Sequence, residues 1–311
     1  MSVLFTFPGQ GAQKPGMLHA LPGHAESTRT LEEASSALDR DVLALDTEAA
    51  LRSTVAVQLC LLVAGVAMAR VLAAHDAKAQ MVAGLSIGAW PAAVTAGVLS
   101  FPDAVRLVAL RGRLMEDAYP AGYGMTAIGG LTRRQLEPLV AEVHAGVQPV
   151  YLANLNAPRQ IVIAGTDAAM AAVAELALGA GAQRAERLAV AVPSHCELLD
   201  TQARTLACAM DQVALARPQI TYISGSAARA LFDGRRIGAE LAANMAHPVL
   251  WADTVRHAWE RGARLAVEMP SGSVLTKLTA PEFADGVAIS CEGAQLDSVV
   301  AMVRGAQAGQ A

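Results

Sequence analysis

Hydrophobic and polar positions fall into blocks along the chain. Residues 2–7, SVLFTF, form a short apolar run closed by Pro8, which predicts a buried strand. PGQGAQKPGM then reads as a loop punctuated by glycine and proline. From Ser53 to about Ala74 the pattern is helical and almost wholly apolar. Gln58 and Arg70 interrupt it, and small residues fill it, so a buried core helix is expected rather than a membrane span. AQMVAGL (79–85) has strand length, and IGAWPAAVTAGVL after it reads as a helix. Pro91 sits within its first turn or so, where a missing N–H is tolerated. SFPDAVRLVALRGRLMEDAY (100–119) is an amphipathic helix beginning near Ser100 or Asp103.

The texture then changes. GMTAIGG (124–130) is a predicted strand and TRRQLEPLVAEVH (132–144) a helix. PVYLANLN (149–156) and RQIVIAG (159–165) read as strands joined by the turn residues Asn156, Ala157 and Pro158. TDAAMAAVAELALGAG (166–181) is a helix capped by Thr166 or Asp167, and AQRAERLAV (182–190) a closing strand. The order β-α-β-β-α-β is the ferredoxin-like pattern. Beyond it, LLDTQARTLACAMDQV, GRRIGAELAANMAH and PVLWADTVRHAWERGA are helical, with strands at QITYISG (219–225) and RLAVEMP (264–270). Such alternation predicts a mostly parallel sheet covered on both faces. The expected fold is therefore α/β: a large hydrolase-like domain from 1–123 and 192–311, with a small ferredoxin-like α+β domain inserted at 124–191. The tail RGAQAGQA is expected to fray.

Composition narrows the function classes. With 311 residues, 53% hydrophobic and 17% charged, the chain suits a compact enzyme with a large core. A net charge of −4 gives no electrostatic reason to bind nucleic acid. Cys60, Cys196, Cys208 and Cys291 lie far apart with no CxxC or Cys/His ligand spacing, so neither a metal centre nor a disulfide framework is expected. MSVLFTFPGQ lacks the basic and long apolar regions of a signal peptide. These features point to a cytoplasmic protein in a reducing compartment, away from the membrane.

The candidate chemistry starts at GLSIG. Strand, G-x-S-x-G, then helix is the pattern of a nucleophile elbow, in which Ser86 occupies a strained turn flanked by Gly84 and Gly88. The bland alternative is a tight turn with an incidental serine. Helix N–H groups beyond such a serine can hold a developing oxyanion. A serine hydroxyl also needs a base. His19, His24, His75 and His144 stand in polar or loop-like surroundings and read as surface residues, and His257 as an exposed helical position. His195, in LAVAVPSHCELLD, follows an apolar strand and a proline, where α/β active sites collect, though it also reads as an ordinary residue at a helix start. His247 is a weaker candidate beside a loop.

FPGQGAQ, GLSIGAW, ALRGRLM around Arg111, VPSHCELL, and PVLW with VEMPSGSVLTKL occur together and in order. With them the chain resembles the malonyl-CoA:acyl-carrier-protein transacylases over nearly its full length. The resemblance implies that Ser86 attacks the thioester of malonyl-CoA while His195 takes its proton. It implies an oxyanion hole from the backbone N–H groups of Gln10 and Ile87, and a backbone carbonyl at Asn244 that orients His195. CoA then leaves and the phosphopantetheine-type thiol of an acyl carrier protein attacks the ester, in a ping-pong scheme without a bound cofactor. Arg111 has a rationale of its own: a malonyl group ends in a carboxylate, which a guanidinium grips with two charge-assisted bonds. Without the motif it would read as a solvated helix residue, as Arg113 does.

The elbow departs from the family's usual G-H-S-L-G at Leu85 and Ile87. GLSIGAWPAA with FPGQGAQKPGMLHALP resembles most the epsilon subunit of malonate decarboxylase, which implies other decarboxylase subunits as partners. The alternatives are the transacylase of fatty-acid synthesis, a serine thioesterase or hydrolase using the same pair, and a catalytically silent docking subunit. Lys277, Arg261 and Arg264 are candidate contacts for an acidic carrier.

Overall fold

The computed structural model describes residues 2–119, 121–146 and 148–309. The chain begins with β1 (Ser2–Phe7), α1 (Ala25–Leu38), α2 (Thr54–Ala74), β2 (Met81–Gly84), α3 (Ala89–Thr95) and α4 (Phe101–Ala118). A second group follows: β3 (Tyr123–Gly129), α5 (Arg133–Gly146), β4 (Val150–Ala157), β5 (Gln160–Thr166), α6 (Asp167–Gly179) and β6 (Arg184–Arg187). The chain then runs through α7 (Asp200–Met210), β7 (Thr221–Ser224), β8 (Arg229–Leu231), α8 (Gly234–Ala243) and α9 (Trp251–Glu260). It closes with β9 (Ala263–Glu268), α10 (Val274–Thr279), β10 (Val287–Ser290) and α11 (Leu296–Ala308).

Among the described residues six strands form one sheet in the order β10-β9-β1-β2-β7-β8, all parallel except β8. Four more, in the order β4-β5-β3-β6, form a smaller antiparallel sheet. With α5 and α6 that smaller domain has the ferredoxin-like arrangement. Parallel strands need both faces covered, and every residue of β1 and β2 but the half-buried Ser2 is buried, as that demands.

α2 is apolar enough and long enough to cross a membrane, but 89% of its most apolar window is buried inside the fold. It packs against α1, α3 and α4 as a core helix. Its N-cap is Ser53, whose hydroxyl bonds Glu116 on α4. α4 starts as its sequence requires: the Ser100 side chain accepts from the Asp103 N–H, and a proline occupies the first turn. Thr166 caps α6 in the same way, through the Ala169 N–H.

Several boundaries differ from the sequence expectations. The turn between β4 and β5 falls on Pro158 and Arg159, because Asn156 and Ala157 still extend β4. The strand expected at 182–190 is regular only over Arg184–Arg187. The tail is helical through Ala308 rather than frayed, since Val299, Val300 and Val303 of α11 are buried against the core; Gln310 and Ala311 of that stretch lie outside the described residues. β8, β10 and α10 are short, and α1 is a further helix; none of the four is among the elements expected from the sequence.

Candidate active site

The parallel strands β1 and β2 run side by side, pairing Phe7 with Gly84, and both end at one edge of the sheet. The loop after β1 carries Gly9 and Gln10, and the turn after β2 carries Ser86. Packing at this crossing explains the glycines. A Cβ on Gly84 would lie 2.0 Å from the Gly88 carbonyl, and one on Gly88 would lie 2.0 Å from the carbonyl oxygen of Phe7. A Cβ on Gly9 would lie 2.8 Å from the Leu85 carbonyl oxygen. Ser86 itself has φ of 57°, the strained left-handed conformation that lifts a side chain off the strand end. Among the described residues the Gln10 and Ile87 N–H groups donate to no carbonyl, and both residues line the adjoining cavity.

His195 lies on the irregular stretch after β6 and is also left-handed, with φ of 65°. Its N–H is fixed to the Met245 carbonyl at 2.7 Å. The ring Nδ1 faces the carbonyl oxygens of Asn244 at 2.7 Å and His247 at 3.2 Å. Carbonyls only accept, so Nδ1 carries the proton and Nε2 is left as an acceptor. Nε2 stands 2.8 Å from Ser86 Oγ. The hydroxyl therefore donates to a neutral imidazole. Burial, and secondarily the Arg111 charge, pull His195 down to about 4, while its two carbonyl partners oppose them.

Arg111 is 1% exposed on the inner face of α4. Its Nη1 donates to Gln58 Oε1 at 2.7 Å, and its Nη2 to Asn244 Oδ1 at 3.2 Å and Ser86 Oγ at 3.4 Å. Its Nε is buried with no partner, and among the described residues no carboxylate pairs with it. Burial pulls the guanidinium from 12.5 down to about 9, which still leaves it charged at neutral pH. An uncompensated buried cation beside a nucleophile is an anion site in waiting.

Asn244 joins the parts together. Its carbonyl holds His195, its Oδ1 accepts from Arg111, and its Nδ2 donates to the Ser86 carbonyl at 3.3 Å. Gln58 is a site residue that the sequence reading passed over; its signal was there, as the isolated amide inside the apolar α2. The smaller domain supplies others. Asn154, Asn156 and Gln160 line the cavity of 430 Å³ that opens over Ser86, and Oδ1 of both asparagines is buried without a partner.

The remaining candidates lie elsewhere. The rings of His19, His24, His75 and His144 do not reach the cavity; His19 bonds Asp46 and His24 caps α1. His257 is half-buried rather than exposed, because its Nε2 accepts from the Ala230 N–H. Arg264 is committed to Asp285 and Trp259, Arg261 lies over Phe232, and Lys277 is in the last turn of α10; none of the three lines the cavity. Burial pushes the Cys60, Cys196 and Cys291 thiols up to about 12, so they offer no thiolate. No group of three or more His, Cys, Asp or Glu able to hold a metal occurs among the described residues.

A serine on a strained elbow, bonded to a buried neutral histidine at the end of a parallel sheet, defines an enzyme of serine-ester acyl chemistry. Residues 4–306 match the family model for the acyl transferase domain, and the chain belongs to that family. It is an acyltransferase. It is 38% identical over 291 residues to the malonyl CoA-acyl carrier protein transacylase of Haemophilus influenzae, covering 91% of this chain and 93% of that one. The crystal structure of an acyl carrier protein S-malonyltransferase from Vibrio cholerae superposes with a TM-score of 0.91 at 36% identity, covering 96% of this chain and all of that one. A malonyl-transacylase solved in complex with its type II PKS acyl-carrier protein gives a TM-score of 0.91 at 34% identity, with 98% and 100% covered.

These similarities correct the expectation of a malonate decarboxylase epsilon subunit: the likeness is to malonyl CoA-acyl carrier protein transacylases. The physical reason lies in the two elbow positions that suggested the other branch. Leu85 packs its side chain and carbonyl against Gly9, and Ile87 is fully buried in the core. Both also border the cavity, but their side chains are apolar and bring no polar group to it, so they do not mark a branch.

Proposed function

We propose that this chain transfers a malonyl group from malonyl-CoA to the phosphopantetheine-type thiol of an acyl carrier protein. The observation that carries the reading is Arg111: a buried cation with no carboxylate partner, 3.4 Å from Ser86 Oγ. A malonyl carboxylate supplies the missing anion and places the thioester carbonyl over the serine. Acetyl-CoA leaves the charge uncompensated.

Ser86 Oγ attacks the carbonyl carbon as its proton passes to His195 Nε2. The backbone N–H groups of Gln10 and Ile87 receive the oxyanion. Collapse expels CoA as its thiol, which takes the proton from His195, and leaves malonyl-Ser86. The carrier thiol enters the same path, giving its proton to His195 and taking the acyl group. Asn244 keeps the imidazole in the tautomer that both half-reactions require. Names borne by the similar proteins, among them a transacylase solved with its carrier, support this donor and acceptor.

The test is brief incubation with malonyl-CoA followed by intact-mass measurement. One malonyl adduct is expected on the wild type and none on Ser86→Ala; no adduct and no CoA release from the wild type would sink the proposal. Acyl transfer to a holo carrier protein, measured next, separates transfer from hydrolysis.

A further inference from the structure

The chain crosses twice between its two sheets, once before β3 and once after β6, and one side chain ties the second crossing to β3. Arg187, the last residue of β6, donates from Nη2 to the Tyr123 carbonyl at 2.7 Å and from Nη1 to the Met125 carbonyl at 3.1 Å, both at the start of β3. The same Nη1 meets the carbonyls of Leu188 at 2.9 Å and Val190 at 3.0 Å on the second. Asp167 Oδ1 accepts from Nη2 at 2.9 Å and completes the ring of acceptors. The sequence makes room for this group: a Cβ on Gly124 would lie 2.0 Å from the guanidinium.

What is tied down is a wall of the acyl cavity. Leu188, Ala189 and Val190 line the 430 Å³ cavity above Ser86 on one side and a separate cleft of 650 Å³ on the other. With space on both sides, packing alone does not fix this segment: Leu188 and Val190 touch the cluster around Met125 and Val162, and the Leu188 N–H donates to the Met125 carbonyl at 2.9 Å, which leaves Ala189 and Val190 to the arginine. It has no regular structure between Arg187 and the turn before His195. His195 has separate anchors, on the carbonyls of Met245, Asn244 and His247.

We propose that Arg187 is a positioning residue for acyl transfer: by gathering carbonyls of β3 and of the crossing after β6 it fixes the 188–190 wall, and so sets how closely the cavity fits its acyl thioester. This rests on the function proposed above. Charge-assisted bonds to four carbonyls become bonds to water when the guanidinium is lost, and the wall then moves into the outer cleft. The cost falls on substrate fit and not on the Ser86–His195 pair.

The experiment measures single-turnover acylation of Ser86 by rapid quench and intact mass, across malonyl-CoA concentrations and pH, for wild type, Arg187→Ala, Arg187→Lys and Gly124→Ala. In Arg187→Ala the half-saturating malonyl-CoA should rise roughly tenfold, in line with the loss of several hydrogen bonds. The maximal rate and the acid limb set by His195 should stay within about threefold and a few tenths of a pH unit of the wild type. The preference for malonyl over the bulkier methylmalonyl thioester should narrow. Gly124→Ala, which leaves the arginine in place but takes its seat, should reproduce the effect, and Arg187→Lys should recover part of it. Unchanged half-saturation and acyl preference in Arg187→Ala would overturn the proposal, whatever happens to its melting temperature. So would a fall in maximal rate alone. If Arg187→Ala does not fold, the same two readouts on Arg187→Lys and Gly124→Ala decide the matter. A wild type that takes up no malonyl group defeats the proposed function instead.

Discussion

Removing the Arg111 charge is the most informative perturbation, because burial without a carboxylate partner sets the sign of its effect and an order of magnitude for its size. Burial lowers the guanidinium from 12.5 to about 9, which at ~1.4 kcal/mol per pH unit puts the unrelieved cost of the cation near ~5 kcal/mol. Gln58, Asn244 and Ser86 offset it only as neutral acceptors. A carboxylate bound by two charge-assisted hydrogen bonds recovers ~3–6 kcal/mol. In Arg111→Ala, kcat/KM for malonyl-CoA should therefore fall about 10²- to 10⁴-fold, while acetyl-CoA changes by less than about tenfold. Initial rates of Ser86 acylation with each thioester give both numbers. The Arg111 charge also helps to lower His195, so the acid limb of the acetyl-CoA profile should move to higher pH in the variant. A retained preference for malonyl over acetyl would refute the reasoning. An equal loss for both would reduce Arg111 to a brace for Asn244.

Three further outcomes follow from the same geometry. His195 is held near 4 against an ordinary 6.5, so the unfolded chain gains its proton first as pH falls; that contribution, about 3 kcal/mol, is complete above 6.5 and lost by about pH 4. Urea midpoints from pH 7 to 4, compared between wild type and His195→Gln, measure it, and acylation should stay flat down to about pH 5. Gly84→Ala drives a Cβ to 2.0 Å from the Gly88 backbone, so it should cost at least ~2 kcal/mol in thermal or urea unfolding and abolish acylation; a stable, active variant would show that the elbow tolerates opening. Gln58→Leu strips Arg111 of its 2.7 Å partner and should raise half-saturating malonyl-CoA about tenfold, a wild-type value meaning that Asn244 holds the guanidinium alone.

Legibility in the sequence followed the physics of each element. Strands buried on both faces and helices with caps declared themselves: SVLFTF, the α2 run and the Ser100 start all stand within a residue or two of their observed limits. β8 and β10 did not, being three and four residues long at the edges of the large sheet, where burial imposes no pattern. At the site, Ser86 could be read from spacing because backbone contact dictates glycine on either side. His195 and Arg111 could be named as residues, but their meeting across 109 and 25 residues of chain depends on the whole sheet. Asn154 and Asn156 were invisible as site residues because β4 reads as an ordinary strand. They border a cavity walled on one side by the smaller domain, and their Oδ1 oxygens are buried without a partner. Leu85 is the opposite case: an unusual residue in a motif suggests another branch of the family, whereas in the structure it packs against Gly9.

The anchoring of His195 also bears on which acceptor completes the reaction. Burial is the main cause of its low basicity and the Arg111 cation adds to it; the two neutral carbonyls on Nδ1 oppose them, but far less than a carboxylate would. The result is a base weak enough to matter. Water, with a pKa of about 15.7, needs strong assistance to attack an ester. A thiol near about 8.5 needs little, and its sulfur is the better nucleophile once the proton leaves. On the proposed function, such a weak base favours attack by a carrier thiol over hydrolysis of the serine ester. Arg111→Ala relieves the opposing charge and strengthens His195 as a base, so the acetyl ester of Ser86 should hydrolyse faster relative to its transfer to a carrier thiol. If the ratio of hydrolysis to transfer is unchanged while the acid limb has moved, base strength is not what protects the ester, and exclusion of water from the cavity is left to do so.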